Sequence, residues 1–165
     1  GHGYSAQVFE KFLDPTIWEI SATTRDTKKA DILGARNINA FIWPSTDLKN
    51  EINRASHILL SIPPLESGDP VFESYFETIK NAANLEWIGY LSTTAVYGDH
   101  DGNWVDEKTK LNPTTKRGKH RVLAEEQWLS LAKEAGSPVN IFDWLEFMAL
   151  EEAHFQKFWQ VLLKE

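Results

Sequence analysis

The chain of 165 residues carries a net charge of −7, with 42% apolar residues, 25% charged residues and no cysteine. This balance predicts one globular domain and excludes a disordered or collagen-like chain. The acidic charge argues against a nucleic-acid partner, because a phosphate backbone must meet a cationic face. The lack of cysteine excludes thiolate zinc sites, disulfides and cysteine nucleophiles. No run approaches the roughly 18 apolar residues of a membrane span, so we expect a cytoplasmic protein without a membrane partner.

The hydrophobic pattern alternates between helical and strand periods along the chain. Helices are predicted at residues 5–13, 27–35, 46–55, 70–84 and 116–135, and strands at 18–24, 40–43, 57–62, 87–92 and 138–142. Strands that alternate with helices predict an α/β fold with a parallel sheet and right-handed crossovers. Two continuous apolar runs, 57–62 and 87–92, predict strands that are buried on both faces.

The first six residues look like a strand-to-helix turn whose strand is absent. We therefore expect a fragment of a Rossmann-like, doubly wound parallel sheet that lacks its first strand. The domain is predicted to cover residues 1–142, with a separate helical tail at 143–165.

This turn has the pattern Gly1-x-Gly3-x-x-Ala6, one form of the dinucleotide-binding turn. A glycine at the first position permits the tight turn, and one at the third lets backbone approach a pyrophosphate. The helix that begins near Tyr4 and Ser5 directs free N–H groups at phosphate. An ordinary strand-to-helix turn remains the alternative.

About twenty residues further on, dinucleotide-binding proteins place an acidic residue for NAD or an arginine for NADP. Here the second strand ends at Thr24-Arg25-Asp26. Arg25 would meet a 2′-phosphate and Thr24 would add a hydroxyl donor, which favours NADP over NAD. Asp26 keeps NAD open, and a solvated loop arginine is the other interpretation.

A run of hydroxyl residues, Ser92-Thr93-Thr94, follows the buried strand 87–92. It is therefore predicted to lie at the carboxyl edge of the sheet, where open α/β folds bind ligands. These hydroxyls can bond a substrate carbonyl or a ribose, or they can simply satisfy backbone groups at a strand end.

Together these motifs resemble the extended short-chain dehydrogenase/reductases, in particular atypical bacterial members of the NAD-dependent epimerase/dehydratase type. The resemblance covers residues 1–142 and rests on the glycine turn, the segments Ser92-Thr-Thr-Ala-Val-Tyr-Gly98 and Val105-Asp-Glu107, and the helix pattern Arg121-x-x-Ala124-Glu125. It implies a Rossmann-like fold that binds NAD(P) and a small polar or sugar-nucleotide substrate. It also allows a homodimer formed through the long helix.

The resemblance assigns roles to individual residues. Thr93, four residues before Tyr97, takes the position of the catalytic Ser/Thr that holds the substrate oxygen. The remaining cofactor-side residues would be Gly1, Gly3, Tyr4, Ser5 and Ala6 at the pyrophosphate, Thr24 and Arg25 at the adenosine ribose, and Ser61, Ile62, Pro63 and Ser92 along the cofactor. Tyr97 is not the catalytic tyrosine of the family. It joins Thr94, Arg117 and Arg121 as a candidate on the substrate side.

The acid/base pair Tyr-x-x-x-Lys of the family is not found. The helix alignment puts Arg117 at the tyrosine position and Arg121 at the lysine position. A guanidinium cannot exchange a proton at neutral pH. The two arginines, with Lys119, can instead bind an anionic substrate or form a solvated basic helix face. No histidine has metal-ligand spacing, so no metal site is predicted.

The segment after Phe142 departs from the family, which continues there with an R-x-x-G-I-Y-G-P-G-R type sequence. Back-translation of residues 143–155 with one base restored permits Arg-Leu-Ala-Gly-Ile-Tyr-Gly-Pro-Gly-Arg in the shifted frame. We hypothesise that residues 143–165 arise from a one-base frameshift, which the underlying DNA would decide. The alternative is a genuine divergent helix that covers a sheet edge or mediates association.

Two functions follow from these expectations. One is an NAD(P)-dependent oxidoreductase or epimerase. The other is a non-catalytic dinucleotide-binding sensor, or an inactive fragment. The missing acid/base pair favours the sensor, whereas the usual activity of the family favours the enzyme.

Overall fold

Helices and strands alternate throughout residues 1–143, the part of the chain that the computed structural model describes. The helices are α1 (Tyr4–Glu10), α2 (Thr27–Gly34), α3 (Leu48–Arg54), α4 (Pro70–Lys80) and α5 (Lys116–Ala135), and a 3-10 turn covers Thr94–Val96. The strands are β1 (Ser21–Thr24), β2 (Asn39–Ile42), β3 (His57–Leu60), β4 (Trp87–Leu91) and β5 (Val139–Phe142). The order and the α/β class agree with the prediction.

Local capping sets where the helices behind the strands begin. Asp26 accepts hydrogen bonds from backbone N–H groups at the start of α2, and Asp69 does the same for α4. Thr115 caps α5, which ends at Gly136 in the left-handed conformation that glycine adopts without strain. Both ends of α5 coincide with the predicted ends.

All strand pairs are parallel, but the strands form two sections of sheet instead of one. β1 pairs with β2, and β4 lies between β3 and β5. β1 and β3 therefore each end a section, and a cavity separates them. The parallel pairing of every strand agrees with the predicted α/β fold and its parallel sheet.

β4 forms the centre of the larger section, with helices on both of its faces. Ile88 and Tyr90 pack with the core residues of α3, α4 and α5, including Trp128, which is fully buried. Trp87 and Leu91 face the other way and pack against the apolar side of α1. The prediction that 87–92 is buried on both faces is confirmed.

The same prediction for 57–62 is wrong. In β3 only Leu60 is buried, and the other three residues are half-buried. The physical reason is position, because β3 has a strand neighbour on one side and the cavity on the other. An apolar run reports that a strand is suited to burial, but its sheet neighbours decide how much of it is covered.

Within residues 1–143, no helix is both long and apolar enough to cross a bilayer. The predicted tail and its frameshift hypothesis concern residues 143–165, of which all but Asp143 lie outside the described part of the chain.

Candidate functional site at the carboxyl ends of the strands

Gly1 and His2 connect the carboxyl ends of β1 and β3. The His2 backbone N–H donates to the Thr23 carbonyl of β1 at 3.0 Å. On the other side, the Ser61 hydroxyl donates to the Gly1 carbonyl at 2.7 Å. The glycine turn therefore lies at the carboxyl ends of both sections of sheet. The carboxyl ends of parallel strands form the expected ligand-binding edge of such a fold.

The turn leads directly into α1 with its backbone open to approach. Gly3 precedes the helix without a side-chain cap, and a Cβ added there would meet no atom within 4 Å. In the first turn of this helix, Tyr4 is exposed and Ser5 is buried. Ala6 lines the cavity between the sheet sections. Open space at Gly3 and free N–H groups in the first turn of a helix are the two features that a bound phosphate would need.

At the end of β1, Thr24 and Asp26 already have structural partners. The Thr24 hydroxyl accepts from the Asp26 backbone N–H at 3.1 Å. The Asp26 carboxylate accepts hydrogen bonds from the backbone N–H groups of Lys28 and Lys29 at the start of α2. Arg25 is exposed, and among residues 1–143 it has no hydrogen bond or ion pair. Arg25 is therefore a free charged group at this end of β1.

Lys29 is a cation of this site that the sequence motifs did not single out. Its ammonium group donates to the His2 carbonyl, so the charge lies next to the glycine turn. The buried His2 ring bonds Glu10 at 2.9 Å, and Arg36 pairs with the same carboxylate. These contacts join α2 to α1 and hold two cations near the turn. Only the three-dimensional fold brings residues 27 positions apart together.

At the end of β3, Ser61 and Ile62 contact the glycine turn. A Cβ on Gly1 would lie 3.1 Å from the Ile62 side chain, so larger residues at position 1 would crowd this contact. Pro63 is exposed just beyond them. The structure therefore brings Gly1, Ser61 and Ile62 together, as the assignment of both segments to one cofactor requires.

At the end of β4, the Ser92 side chain is committed to a buried contact. Its hydroxyl donates to the carboxyl group of Glu125 on α5, and both residues are buried. Burial raises the pKa of Glu125 to about 7, and the nearby Asp143 carboxylate acts in the same direction. The hydrogen bond from Ser92 opposes the shift. Ser92 thus fastens β4 to α5, and Glu125 is a second residue that the motifs did not predict as a partner.

Thr93 and Thr94 lie next in the chain, half-buried at the same edge. Thr93 is extended, and its Oγ1 accepts from the Ala95 backbone N–H at 3.4 Å to cap the 3-10 turn. Because that contact uses the oxygen as acceptor, the Thr93 hydroxyl hydrogen remains available to a substrate oxygen.

Tyr97 is buried, and its hydroxyl is bonded to the carboxylate of Asp143 at 2.8 Å. Burial, followed by this hydrogen bond and the negative charge of Asp143, raises the pKa of the tyrosine well above its usual range. The Tyr97 hydroxyl therefore links the 3-10 turn to the end of β5 and stays protonated at neutral pH.

The two arginines of α5 differ in their surroundings. Arg121 donates to the Leu91 carbonyl at 2.6 Å and to the Tyr90 hydroxyl at 3.2 Å, so its guanidinium is held against the end of β4. Arg117 is exposed, one turn nearer the start of the helix. Of the pair, Arg117 is free to meet an anionic group, and Arg121 supports the strand that carries Thr93.

Among residues 1–143, no three histidine, aspartate or glutamate side chains lie close enough to hold a metal ion. The His100 ring, in the loop after Tyr97, is hydrogen-bonded to the Tyr97 carbonyl at 3.2 Å.

Comparison with known proteins places this geometry in a fold family. No protein-family model matches the chain, and none of the curated proteins does. A functionally unknown conserved protein from Silicibacter pomeroyi is 41% identical, with a TM-score of 0.75; the match covers 87% of this chain and 50% of that one.

Two structures that contain dinucleotides are more distant in sequence. UDP-glucuronic acid 4-epimerase from Bacillus cereus, in complex with UDP-glucuronic acid and NAD, is 16% identical with a TM-score of 0.65, over 84% of this chain and 52% of that chain. Gre2 from Candida albicans, in complex with NADPH, is 18% identical with a TM-score of 0.62, over 86% of this chain and 54% of that chain. The chain thus spans about half the length of each of these three structures. In fold it is similar to these NAD- and NADPH-bound structures, and it adopts a Rossmann-like fold.

Proposed function

We propose that this protein binds an NAD(P) dinucleotide at the carboxyl ends of β1 and β3, with the pyrophosphate over Gly3. The observation that carries the proposal is the position of the glycine turn. Gly1 and His2 are hydrogen-bonded to both strands, and Gly3 leaves open space in front of α1. Lys29 adds a positive charge beside the same turn. Free N–H groups next to a fixed cation favour a bound phosphate.

NADP is the proposed cofactor in preference to NAD. Arg25 is exposed and, within residues 1–143, has no hydrogen bond or ion pair, whereas one carboxylate oxygen of Asp26, Oδ1, accepts the two hydrogen bonds that cap α2. An unpaired guanidinium suits a 2′-phosphate, and NAD stays the alternative because the cap does not use the other Asp26 oxygen. Lys29, in the first turn of α2, lies four residues after Arg25 in the chain and adds positive charge.

Titration of the chain with NADPH and NADH tests both parts of this proposal. We expect NADPH fluorescence to report binding, and Arg25→Ala to weaken NADPH binding about 10- to 100-fold, the effect of one hydrogen-bonded charge worth roughly 1.5–3 kcal/mol. NADH binding should change little. Arg54→Ala, an exposed arginine at the end of α3, is the matched control. Equal losses for both nucleotides would reject the 2′-phosphate role, and no binding of either would reject the site.

For the whole protein we propose an oxidoreductase or epimerase that acts on a small polar or sugar-nucleotide substrate, with Thr93 as the catalytic hydroxyl. The support is its free hydroxyl hydrogen at the edge of the sheet and its place four residues before Tyr97. A donor to the reacting oxygen contributes about 10²- to 10⁴-fold. Arg117 and Thr94 are the neighbouring substrate-side candidates.

A non-catalytic nucleotide sensor is the second candidate, and the arginines of α5 favour it. Arg121 stands at the position of the family lysine. Its guanidinium is bonded to the Leu91 carbonyl and does not release a proton at neutral pH. Hydride-transfer assays with UDP-sugars and simple carbonyl compounds separate the two. An enzyme should lose at least 100-fold in kcat/KM through Thr93→Val, with Thr16→Val, at an exposed threonine that precedes β1, as control. NADPH binding without turnover would support the sensor.

A further inference from the structure

The first turn of α5 carries positive side chains where a helix is better stabilised by negative ones. Lys116, Arg117 and Lys119 lie there, and the turn contains no acidic residue. The positive end of a helix dipole favours anions and disfavours cations. An anionic ligand at this turn would offset the charge of the side chains and of the dipole together, so the surroundings of each cation decide where it would bind.

Of these three cations, Arg117 is the one that is both free and on the side of the sheet. Lys116 is paired with Glu66 at 2.9 Å. Lys119 follows Arg117 by two positions, and residues two apart do not share a face of a helix. Arg117 is exposed, and within residues 1–143 it has no hydrogen bond or ion pair.

The direction of the Arg117 face follows from the next turn of the helix. Arg121, four residues later, lies on the same face, and its guanidinium donates to the Leu91 carbonyl at the end of β4. Because α5 connects the parallel strands β4 and β5, it runs in the opposite direction to them. Arg117 therefore lies beyond the carboxyl end of β4, about 6 Å further along the helix axis than Arg121.

Thr93 lies at a similar distance beyond the end of β4. It follows Leu91 by two residues and is itself extended, so the chain advances by roughly 6–7 Å between them. A second contact agrees with this estimate, because a Cβ on Gly118 would lie 2.6 Å from the Ala95 carbonyl oxygen. The start of α5 is thus held against the turn that follows Thr93. Thr93 and Arg117 therefore border the same space at the edge of the sheet.

The two side chains suit two different groups of one ligand. The Thr93 hydroxyl hydrogen is available to a carbonyl or hydroxyl oxygen, since its oxygen accepts from the Ala95 N–H. The Arg117 guanidinium offers parallel N–H groups that match the two oxygens of a carboxylate. A single free positive charge on this face balances one carboxylate, whereas a phosphate dianion would leave a negative charge without a partner.

We propose that the space between Thr93 and Arg117 binds a small molecule with a carboxylate on the carbon next to a carbonyl or hydroxyl group. Arg117 holds the carboxylate, and Thr93 holds the neighbouring oxygen. The substrate class is then the 2-oxo acids or 2-hydroxy acids, a narrower set within the small polar substrates proposed above. This inference rests on the proposed role of Thr93 toward a substrate oxygen, and it makes Arg117 a specificity residue instead of an acid or base.

The test titrates the chain with pyruvate, pyruvamide and acetylphosphonate, both without nucleotide and with saturating NADPH. The three probes share an acetyl group and differ in the group beside the carbonyl, which is a carboxylate, a neutral amide or a phosphonate. Ligand-observed NMR measures the dissociation constants, and the amide shifts of Thr93 and Gly118 locate the site. We expect pyruvate to bind about tenfold more tightly than pyruvamide and about threefold more tightly than acetylphosphonate.

Substitutions of Arg117 supply the test on the protein side. Arg117→Gln should weaken pyruvate binding about 10- to 100-fold, because it removes a charge-assisted pair. Arg117→Lys keeps the charge but not the parallel donors, and we expect a loss of roughly 3- to 10-fold. Lys133→Gln, at an exposed cation in the last turn of α5, is the matched control and should change binding less than about twofold. Because Arg117 is exposed, its substitutions remove no core packing.

Four outcomes would overturn the proposal. They are absence of pyruvate binding at high millimolar concentration, equal binding of pyruvate and pyruvamide, tighter binding of acetylphosphonate than of pyruvate, and equal losses in Arg117→Gln and Lys133→Gln. NADPH fluorescence reports the nucleotide site separately. NADPH binding without pyruvate binding would reject this inference alone, and pyruvate binding that depends on Arg117 without NADPH binding would reject the nucleotide site alone.

Discussion

β3 and β4 are neighbouring parallel strands of similar apolar character, but their surroundings differ greatly. All five residues of β4 are buried, whereas β3 buries one of its four. β4 has a strand on each side and helices on both faces, while β3 borders the cavity between the two sections of sheet. The difference teaches that stability is concentrated around β4, and that the edges near the glycine turn remain accessible for binding.

The largest expected effect compares two isoleucines that are register partners. Ile88 of β4 is fully buried, and Ile58, paired with it in β3, is half-buried. We expect Ile88→Ala to cost about 2–5 kcal/mol of unfolding free energy and Ile58→Ala roughly 1 kcal/mol. The cost at Ile58 is smaller because its side chain buries less apolar surface and its removal leaves no enclosed cavity. Urea denaturation measures both. Equal losses would show that the cavity beside β3 does not weaken the packing of this strand.

A second comparison uses helical glycines. A Cβ on Gly118 of α5 would lie 2.6 Å from the Ala95 carbonyl oxygen, while one on Gly34 of α2 would meet nothing within 4 Å. We expect Gly118→Ala to destabilise the fold by about 1–3 kcal/mol through overpacking against the 3-10 turn. Gly34→Ala should be neutral or slightly stabilising, as alanine favours a helix. Thermal unfolding checks the pair, and an unchanged Tm for Gly118→Ala would contradict the close approach.

The smallest effect is a pH dependence within the β4 half of the molecule. Burial, together with Asp143 and Glu126, raises the pKa of Glu125, and Ser92 and Arg121 act against the shift. Since the folded state holds this proton up to about pH 7 and the unfolded chain releases it near 4.5, stability should fall as pH rises between these values.

Glu125→Gln, which cannot ionise, should reduce this decline, with Glu107→Gln, at an exposed glutamate outside α5, as control. Urea denaturation at pH 5 and pH 8 measures it. A decline that persists unchanged in Glu125→Gln would assign the pH dependence to another group.

Sequence patterns predicted the helices best where local capping fixes their ends. Both ends of α5 were predicted because Thr115 and Gly136 act within one turn of the helix. Strand bounds were less accurate, since β1 begins at Ser21 and not at residue 18. The burial of β3 was mispredicted because it depends on a neighbour across the sheet, which no local pattern encodes.

The site shows the same limit. The glycine turn and the hydroxyl run were located from sequence, because motifs of fixed spacing follow predicted strands. Their partners were not, since the Ser92–Glu125 and Lys29–His2 contacts join residues 33 and 27 positions apart. Periodicity carries no information about such pairs. The roles proposed for the site residues, and a homodimer, stay predictions.

The double attachment of Gly1 and His2 has a consequence for how the protein would be monitored in a cell extract. The same two residues border the proposed phosphate site and tie one part of the sheet to the other. A nucleotide held there would fasten both parts at once, so resistance to a protease would rise with the nucleotide concentration. Digestion rate would then serve as a readout of occupancy that needs no knowledge of the substrate.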